Sequence, residues 1–262
     1  MSFRNSPKKR LLEDASVWTG SSVKLHLNFD VGDPELTSTE VEHMWWWFQM
    51  GSIMDPYVRR HLWKSWGFCP RHSWIHAVWE CELRGGRLLG TSILYEDLTR
   101  RAARALRSRL MTWNVMVQRL QPHDTCFTCD SITDTKNFLG EQRWLASAER
   151  ANRFQRFLAL LKVTQDQWEE RSCPLCLGGN GLVCRKHLLL GTEPSADLSQ
   201  QLFALANRLE DFIESMTWGS KPAGLLEQAS WVEALGWFAG WDYLGKLKLT
   251  HKDTLSRNTF ET

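Results

Sequence analysis

Cys173-Pro-Leu-Cys176-Leu-Gly-Gly-Asn-Gly-Leu-Val-Cys184-Arg-Lys-His187 is the stretch that decides how this chain folds. It joins a C-x2-C pair to a C-x2-H pair through a glycine-rich turn. A two-residue gap lets both side chains of a pair reach one ion, and Leu-Gly-Gly-Asn-Gly supplies the positive-φ positions that a tight loop needs. Thiolate and imidazole together suit zinc. The stretch therefore reads as a compact zinc knuckle built from Cys173, Cys176, Cys184 and His187.

The same spacing recurs upstream. Cys69 and His72 form C-x2-H, Cys126 and Cys129 form C-x2-C, and of the 7 cysteines Cys81 alone lies outside a pair, as a buried free thiol. Four pairs supply the ligands of two complete Cys3His sites, so two zinc ions are expected. Two pairings use the same residues: Cys69/His72 with Cys126/Cys129 beside the compact knuckle, or a crossed set joining 126/129 to 184/187 and 69/72 to 173/176. A redox dithiol at Cys173/Cys176 lacks a surrounding βαβ pattern. An iron–sulfur cluster with three thiolates and one imidazole is less common than zinc.

Composition frames this reading. The chain has 262 residues, 43% hydrophobic and 24% charged, which makes one or two globular domains with a sizeable core. Its 32 basic and 30 acidic residues exclude a wholesale electrostatic grip on nucleic acid. The polar, basic start is followed by no apolar run of signal-peptide length, and Met44-Trp-Trp-Trp-Phe48 falls far short of a membrane span. A cytoplasmic protein with reduced thiols and no membrane partner is expected.

Periodicity predicts a mainly α fold: a helical domain stapled by two Cys/His zinc knuckles, with a short N-terminal strand over 23–29. Residues 1–20 read as a mobile arm, 21–125 as a Trp-rich helical unit, 126–245 as a second helical unit and 246–262 as a frayed tail. Ser38 or Thr39 caps a helix carrying Trp45, Trp46 and Trp47. Further helices are expected over 57–66, 73–83, 198–216 and 225–240. One long amphipathic helix is expected over 92–120, and a long helical region from Cys129 to about Arg171. A weak repeat of helix, C-x2-H, helix surrounds residues 69 and 184. The first copy lacks an upstream C-x2-C, which suggests that 173/176 is recruited to complete the first site.

Gly67-Phe-Cys69-Pro-Arg-His72-Ser-Trp74, Cys173-Pro-Leu-Cys176, Gly181-Leu-Val-Cys184-Arg-Lys-His187 and Ala229-Ser-Trp-Val-Glu-Ala-Leu-Gly-Trp-Phe-Ala-Gly-Trp241 resemble an uncharacterised bacterial family with C-P-x-C and G-F-C-x-x-H motifs. The likeness spans roughly residues 34–241. It implies a helical zinc-binding protein and brings no established activity. The chain departs from the pattern in its N-terminal half, where an upstream C-x-x-C is missing.

The 15 tryptophans are the other signal. Trp45, Trp46, Trp47, Trp63 and Trp66 are candidates for an aromatic binding site, with Trp74 and Trp79 close behind. Three consecutive residues cover about 200° of a helix, so one of Trp45–Trp47 points away from any single core face. Arg100, Arg101, Arg104 and Arg107 share a helix face, either as an anion-binding stripe or as a solvated surface. His61 lies near the first C-x2-H, and His76, one turn after His72, is the first alternative ligand. No serine-hydrolase, phosphate-loop, dinucleotide or metalloprotease motif occurs, nor a zinc-deaminase set. The functions this supports are a zinc-stabilised binding or adaptor protein for a protein, aromatic or anionic partner; a metal-supported enzyme or small-molecule binder of bacterial specialised metabolism; and, less favoured, a nucleic-acid-binding regulator.

Overall fold

The computed structural model describes residues 31–107, 111–134, 141–217 and 219–250; the arm over 1–20 and the strand over 23–29 lie outside them. The described residues contain no strand, and the fold is mainly α. In order they form α1 (Ser38–Gln49), a 3-10 turn η1 (Ser52–Met54), α2 (Pro56–Ser65), α3 (Pro70–Leu83), α4 (Leu89–Ala105), α5 (Trp113–Gln118), α6 (Phe127–Asp134) and α7 (Glu141–Ala151). There follow α8 (Gln155–Val163), α9 (Gln165–Glu170), α10 (Pro174–Leu177), α11 (Arg185–Leu189), α12 (Leu198–Ser215), α13 (Leu225–Ala239) and α14 (Asp242–Thr250). None of these helices is long and apolar enough to cross a membrane.

Two helices, α3 and α13, cross at the centre and are buried on nearly all sides. A helix with no solvent face shows no apolar stripe, because every position packs. Amphipathic helices surround them. α12 buries Leu198, Leu202, Leu205, Leu209 and Phe212 in a single stripe against α4 and α13. α7 and α8 cover α3, while α9 and α11 cover α13. The sharp turn into α14 brings Trp241 back over Gly236, where any side chain would collide with the indole ring.

The buried carboxylates of α3 replace helix caps. Glu80 accepts hydrogen bonds from the Gly90 N–H (2.7 Å), the Thr91 N–H (2.8 Å) and the Thr91 hydroxyl (2.8 Å) at the start of α4. Leu88, which precedes α4, offers no capping side chain. Glu82 accepts from the Phe157 N–H (2.8 Å) in the first turn of α8. Each acid meets otherwise orphaned donors at the positive end of a helix dipole.

Several boundaries differ from the sequence expectation for physical reasons. α1 is capped by Thr37, whose hydroxyl and Glu40 form a reciprocal capping box. α3 begins at Pro70 rather than Ser73, because Cys69 caps it and proline suits its first position. The helix expected over 92–120 is two, α4 and α5. Leu106 and Val117 are both buried, so the apolar spacing persists across the break. The helical region after Cys129 is divided among α6 to α9. Phe154 separates α7 from α8 in the left-handed region (φ 52°), held there by a fully buried ring. α14 carries regular helix to Thr250, into the stretch read as tail, with Leu247 buried.

Candidate metal centres

The first centre forms where α2 hands the chain to α3. Trp66 ends α2 in a left-handed conformation (φ 57°) and Gly67 follows at φ 96°. The Gly67 N–H closes the turn on the Leu62 carbonyl at 2.8 Å. The strained indole is fixed by its own N–H, which donates to the Arg119 carbonyl at 3.0 Å. This turn delivers Cys69 to the N-cap of α3 and puts His72 in its first turn.

Cys126 and Cys129 arrive at the start of α6, which packs against α1 and α2. The histidines considered as alternative ligands brace this segment instead. His61 Nε2 lies 2.9 Å from the Thr125 carbonyl, and His76 Nε2 lies 3.2 Å from the Thr128 hydroxyl.

Cys69, His72, Cys126 and Cys129 therefore converge, with all four ligand atoms within 4.8 Å of one another. His72 Nδ1 lies 3.3, 3.6 and 3.3 Å from the sulfurs of Cys69, Cys126 and Cys129, and the Cys69 and Cys129 sulfurs are 3.9 Å apart. A tetrahedral ion with bonds of about 2.3 Å to sulfur and about 2.0 Å to nitrogen needs S···S edges near ~3.8 Å and S···N edges near ~3.5 Å. The cluster has the size of that tetrahedron.

The second centre is the compact knuckle. Cys173 caps α10, Cys184 caps α11, and the Cys184 N–H points at the Cys173 sulfur from 3.4 Å. At Gly181 an added Cβ would collide with the Arg171 backbone, so the loop closes only on glycine. His187 Nδ1 lies 3.5, 3.6 and 3.3 Å from the sulfurs of Cys173, Cys176 and Cys184, and the Cys176 and Cys184 sulfurs are 3.7 Å apart. These are again tetrahedral edges. Each cluster can hold one metal ion, and the crossed pairing is not formed. Cys173 and Cys176 complete the second site, not the first. The first site takes its C-x2-C from downstream.

The thiols of each cluster shift one another. In the first, hydrogen bonds from Cys126, Cys69 and His72 hold the Cys129 thiol well below its ordinary pKa, while burial and its sulfur neighbours push Cys126 well above. In the second, hydrogen bonds from Cys176 and Cys184 lower Cys173. The Cys173 sulfur pushes Cys176 up to about 11, and Cys173 and Cys176 together push Cys184 higher still. A divalent ion makes all three thiolates of a cluster favourable.

The surroundings of the two centres differ. Glu40 approaches His72 Nε2 at 3.2 Å, and Arg71 grips the same carboxylate through Nε (2.7 Å) and Nη2 (2.9 Å). Burial raises the Glu40 pKa, but hydrogen bonds from His72, Arg71 and the Thr37 backbone outweigh it and set the group at about 2. An ionised carboxylate behind a ligating imidazole fixes its tautomer and strengthens it as a ligand. His187 Nε2 makes no hydrogen bond to a described residue. The second centre is tied down through Arg185 instead, whose Nε donates to the Leu120 carbonyl at 2.8 Å. Lys186 pairs with Asp242 at 2.7 Å.

The tryptophan candidates are dispersed. Trp47 and Trp66 are buried in the core, and Trp45 is half-buried. Trp63 donates to Asp97 at 2.6 Å beneath the Arg101 guanidinium, 4.4 Å from the ring centroid. Trp46 is 46% exposed, as the helical arc requires. A cavity of about 10 Å³ beside Trp47 has no room for a ligand. A groove of about 360 Å³ lies elsewhere, between Leu106, Trp113, Met116, Glu193, Pro194 and Leu198. Sequence reasoning missed it because its walls come from three separate segments. The arginine stripe is partly spent: Arg100 pairs with Glu96 and Glu210, and Arg101 stacks on Trp63. No protein-family model, curated protein or solved structure matches the chain.

Proposed function

We propose that the chain is a zinc-stabilised helical binding protein, an adaptor or regulatory partner that recognises a protein or small molecule through its Trp/Arg-rich surface. The observation that carries this reading is the closure of both clusters. Each offers four protein ligand atoms at tetrahedral spacing, which leaves no open position for substrate. Zinc is the ion that three thiolates and one imidazole suit best. A reducing, cytoplasmic compartment accords with thiols kept free for metal. The motifs around residues 69, 173 and 184 support membership of the uncharacterised bacterial family they resemble.

Zinc-edge X-ray absorption tests closure. The expected spectrum has three sulfur and one nitrogen neighbours per ion. An oxygen shell from bound water would turn the reading toward catalysis. A second reading, a small-molecule binder, draws support from the groove of about 360 Å³, whose volume lies in the range of ligand sites. Nucleic-acid binding draws little support, since two of the four stripe arginines already have partners.

A further inference from the structure

We propose that the first centre is a peroxide-sensitive thiol switch: Cys129 is the thiolate that meets hydrogen peroxide, Cys69 closes a disulfide onto it, and the ion is released. This rests on the reading of zinc in that cluster and adds a second chemistry to it.

The two centres hold the same ligand types behind unequal cover. Cys129 is exposed and Cys69 is half-buried, while Cys126 is buried. In the second centre Cys173 and Cys184 are buried and Cys176 is half-buried. Among the six cysteines of the two clusters, Cys129 is therefore the exposed one. Thiolates, not thiols, react with peroxide, and a coordinating thiol is already deprotonated, so access decides which ligand is oxidised.

The packing of α6 explains the exposure. Phe127 meets Trp47 with ring centroids 5.7 Å apart and His61 at 5.5 Å. The buried Thr128 hydroxyl lies 3.2 Å from His76 Nε2. These two residues anchor the helix on the core, and the next two, Cys129 and Asp130, are exposed.

The resolving sulfur already stands beside Cys129. The Cys69 and Cys129 sulfurs are 3.9 Å apart, so a disulfide of about 2.05 Å needs them to close by about 1.9 Å. Cys69 caps α3 and Cys129 lies in α6, so the bond would join two helices.

The electrons balance with one peroxide. The Cys129 thiolate attacks one peroxide oxygen, the O–O bond breaks, and hydroxide leaves, which gives a sulfenic acid. The Cys69 thiolate then attacks the Cys129 sulfur, the S–O bond breaks, and a second hydroxide leaves. Two thiolates and one hydrogen peroxide give one disulfide and two hydroxides. Cys126 and His72 remain, and two ligands do not hold a tetrahedral ion. The contact of Phe127 with Trp47 loses the metal that fixed it, so redox state is coupled to how α6 sits on α1.

The test treats the zinc-loaded full chain with hydrogen peroxide, following metal with a chromophoric zinc indicator and thiols by peptide mapping. The ion count before peroxide tests the metal reading, and the order of release tests the switch. One ion should leave at least about tenfold faster than the other, in step with a disulfide between Cys69 and Cys129. A phosphine reductant with added zinc should restore it. Cys129→His keeps four ligands but removes the exposed thiolate, and it should slow this release at least about tenfold. Cys176→His should leave it unchanged. Release from both centres at one rate, earlier release from the second, or a disulfide mapped to 126 and 129 overturns the proposal. So does a Cys129→His chain that loses its ion as fast as wild type. If that variant binds no zinc, the wild-type release order and disulfide map still decide. A chain that carries no zinc before peroxide overturns the metal reading, and the disulfide map then judges the thiol pair by itself.

Discussion

The two Cys3His centres use one chemistry in two ways. In each, a C-x2-C and a C-x2-H sit at helix starts and the histidine turns Nδ1 toward the sulfurs. The second centre draws its ligands from residues 173 to 187 and is a local clip. The first gathers them from residues 69 to 129, and Glu40 braces it from a third helix. The clip shapes one loop, whereas the staple joins α1, α3 and α6. Order along the chain differs too, with C-x2-H first in the staple and last in the clip. The chain closure that a metal imposes therefore depends on where the pairs fall, not on which residues they contain.

The largest expected effect breaks the staple. Cys126→Ser removes a buried ligand from the site that holds three helices, and it should cost more than about 4 kcal/mol and abolish cooperative unfolding near room temperature. Cys176→Ser should release one ion but confine increased hydrogen exchange to residues 171–191 and the start of α14. Thermal denaturation with exchange mass spectrometry distinguishes the two, and equal global destabilisation would erase the distinction between clip and staple.

Glu40→Gln sharpens the comparison at the brace. It keeps the shape of the side chain and removes the charge behind His72. Affinity of the first centre should fall about 10- to 100-fold while the second is unchanged. Chelator competition followed by native mass spectrometry measures this, and parallel weakening of both ions would contradict it.

Gly236→Ala attacks the anchor of the clip. The new methyl would meet the ring of Trp241, which stands next to Asp242, the partner of Lys186 beside His187. A loss of about 1–3 kcal/mol in chemical denaturation is expected, with faster metal loss from the second centre. The smallest effect belongs to Lys186→Ala. Its ion pair with Asp242 is half-exposed, and removing it should cost under about 1 kcal/mol with both ions retained.

The members of the two Cys/His clusters were legible in the sequence because metal spacing is a local property. Their pairing was not. C-x2-C and C-x2-H units are interchangeable on paper, and only the packing of α6 on α1 and α2 brings residues 126 and 129 to residue 72. Amphipathic α12 was readable from its leucines. α3 was half-read, since a helix buried all round shows no stripe and its glutamates look like surface residues until the helix ends they cap are known. Phe154 concealed a break because left-handed backbone is ordinarily signalled by glycine or asparagine. Among the tryptophans, helical geometry identified that one of the three must face outward. Which one depended on the direction of α1 across the core.

The central claim is that two metal ions hold these helices together. Native mass spectrometry of the purified chain, with circular dichroism before and after exhaustive chelation, tests it most directly. Two zinc ions per chain are predicted, the unbraced one leaving first and the helical signal collapsing cooperatively with the second. A metal-free chain that keeps its helicity and melting temperature would contradict it.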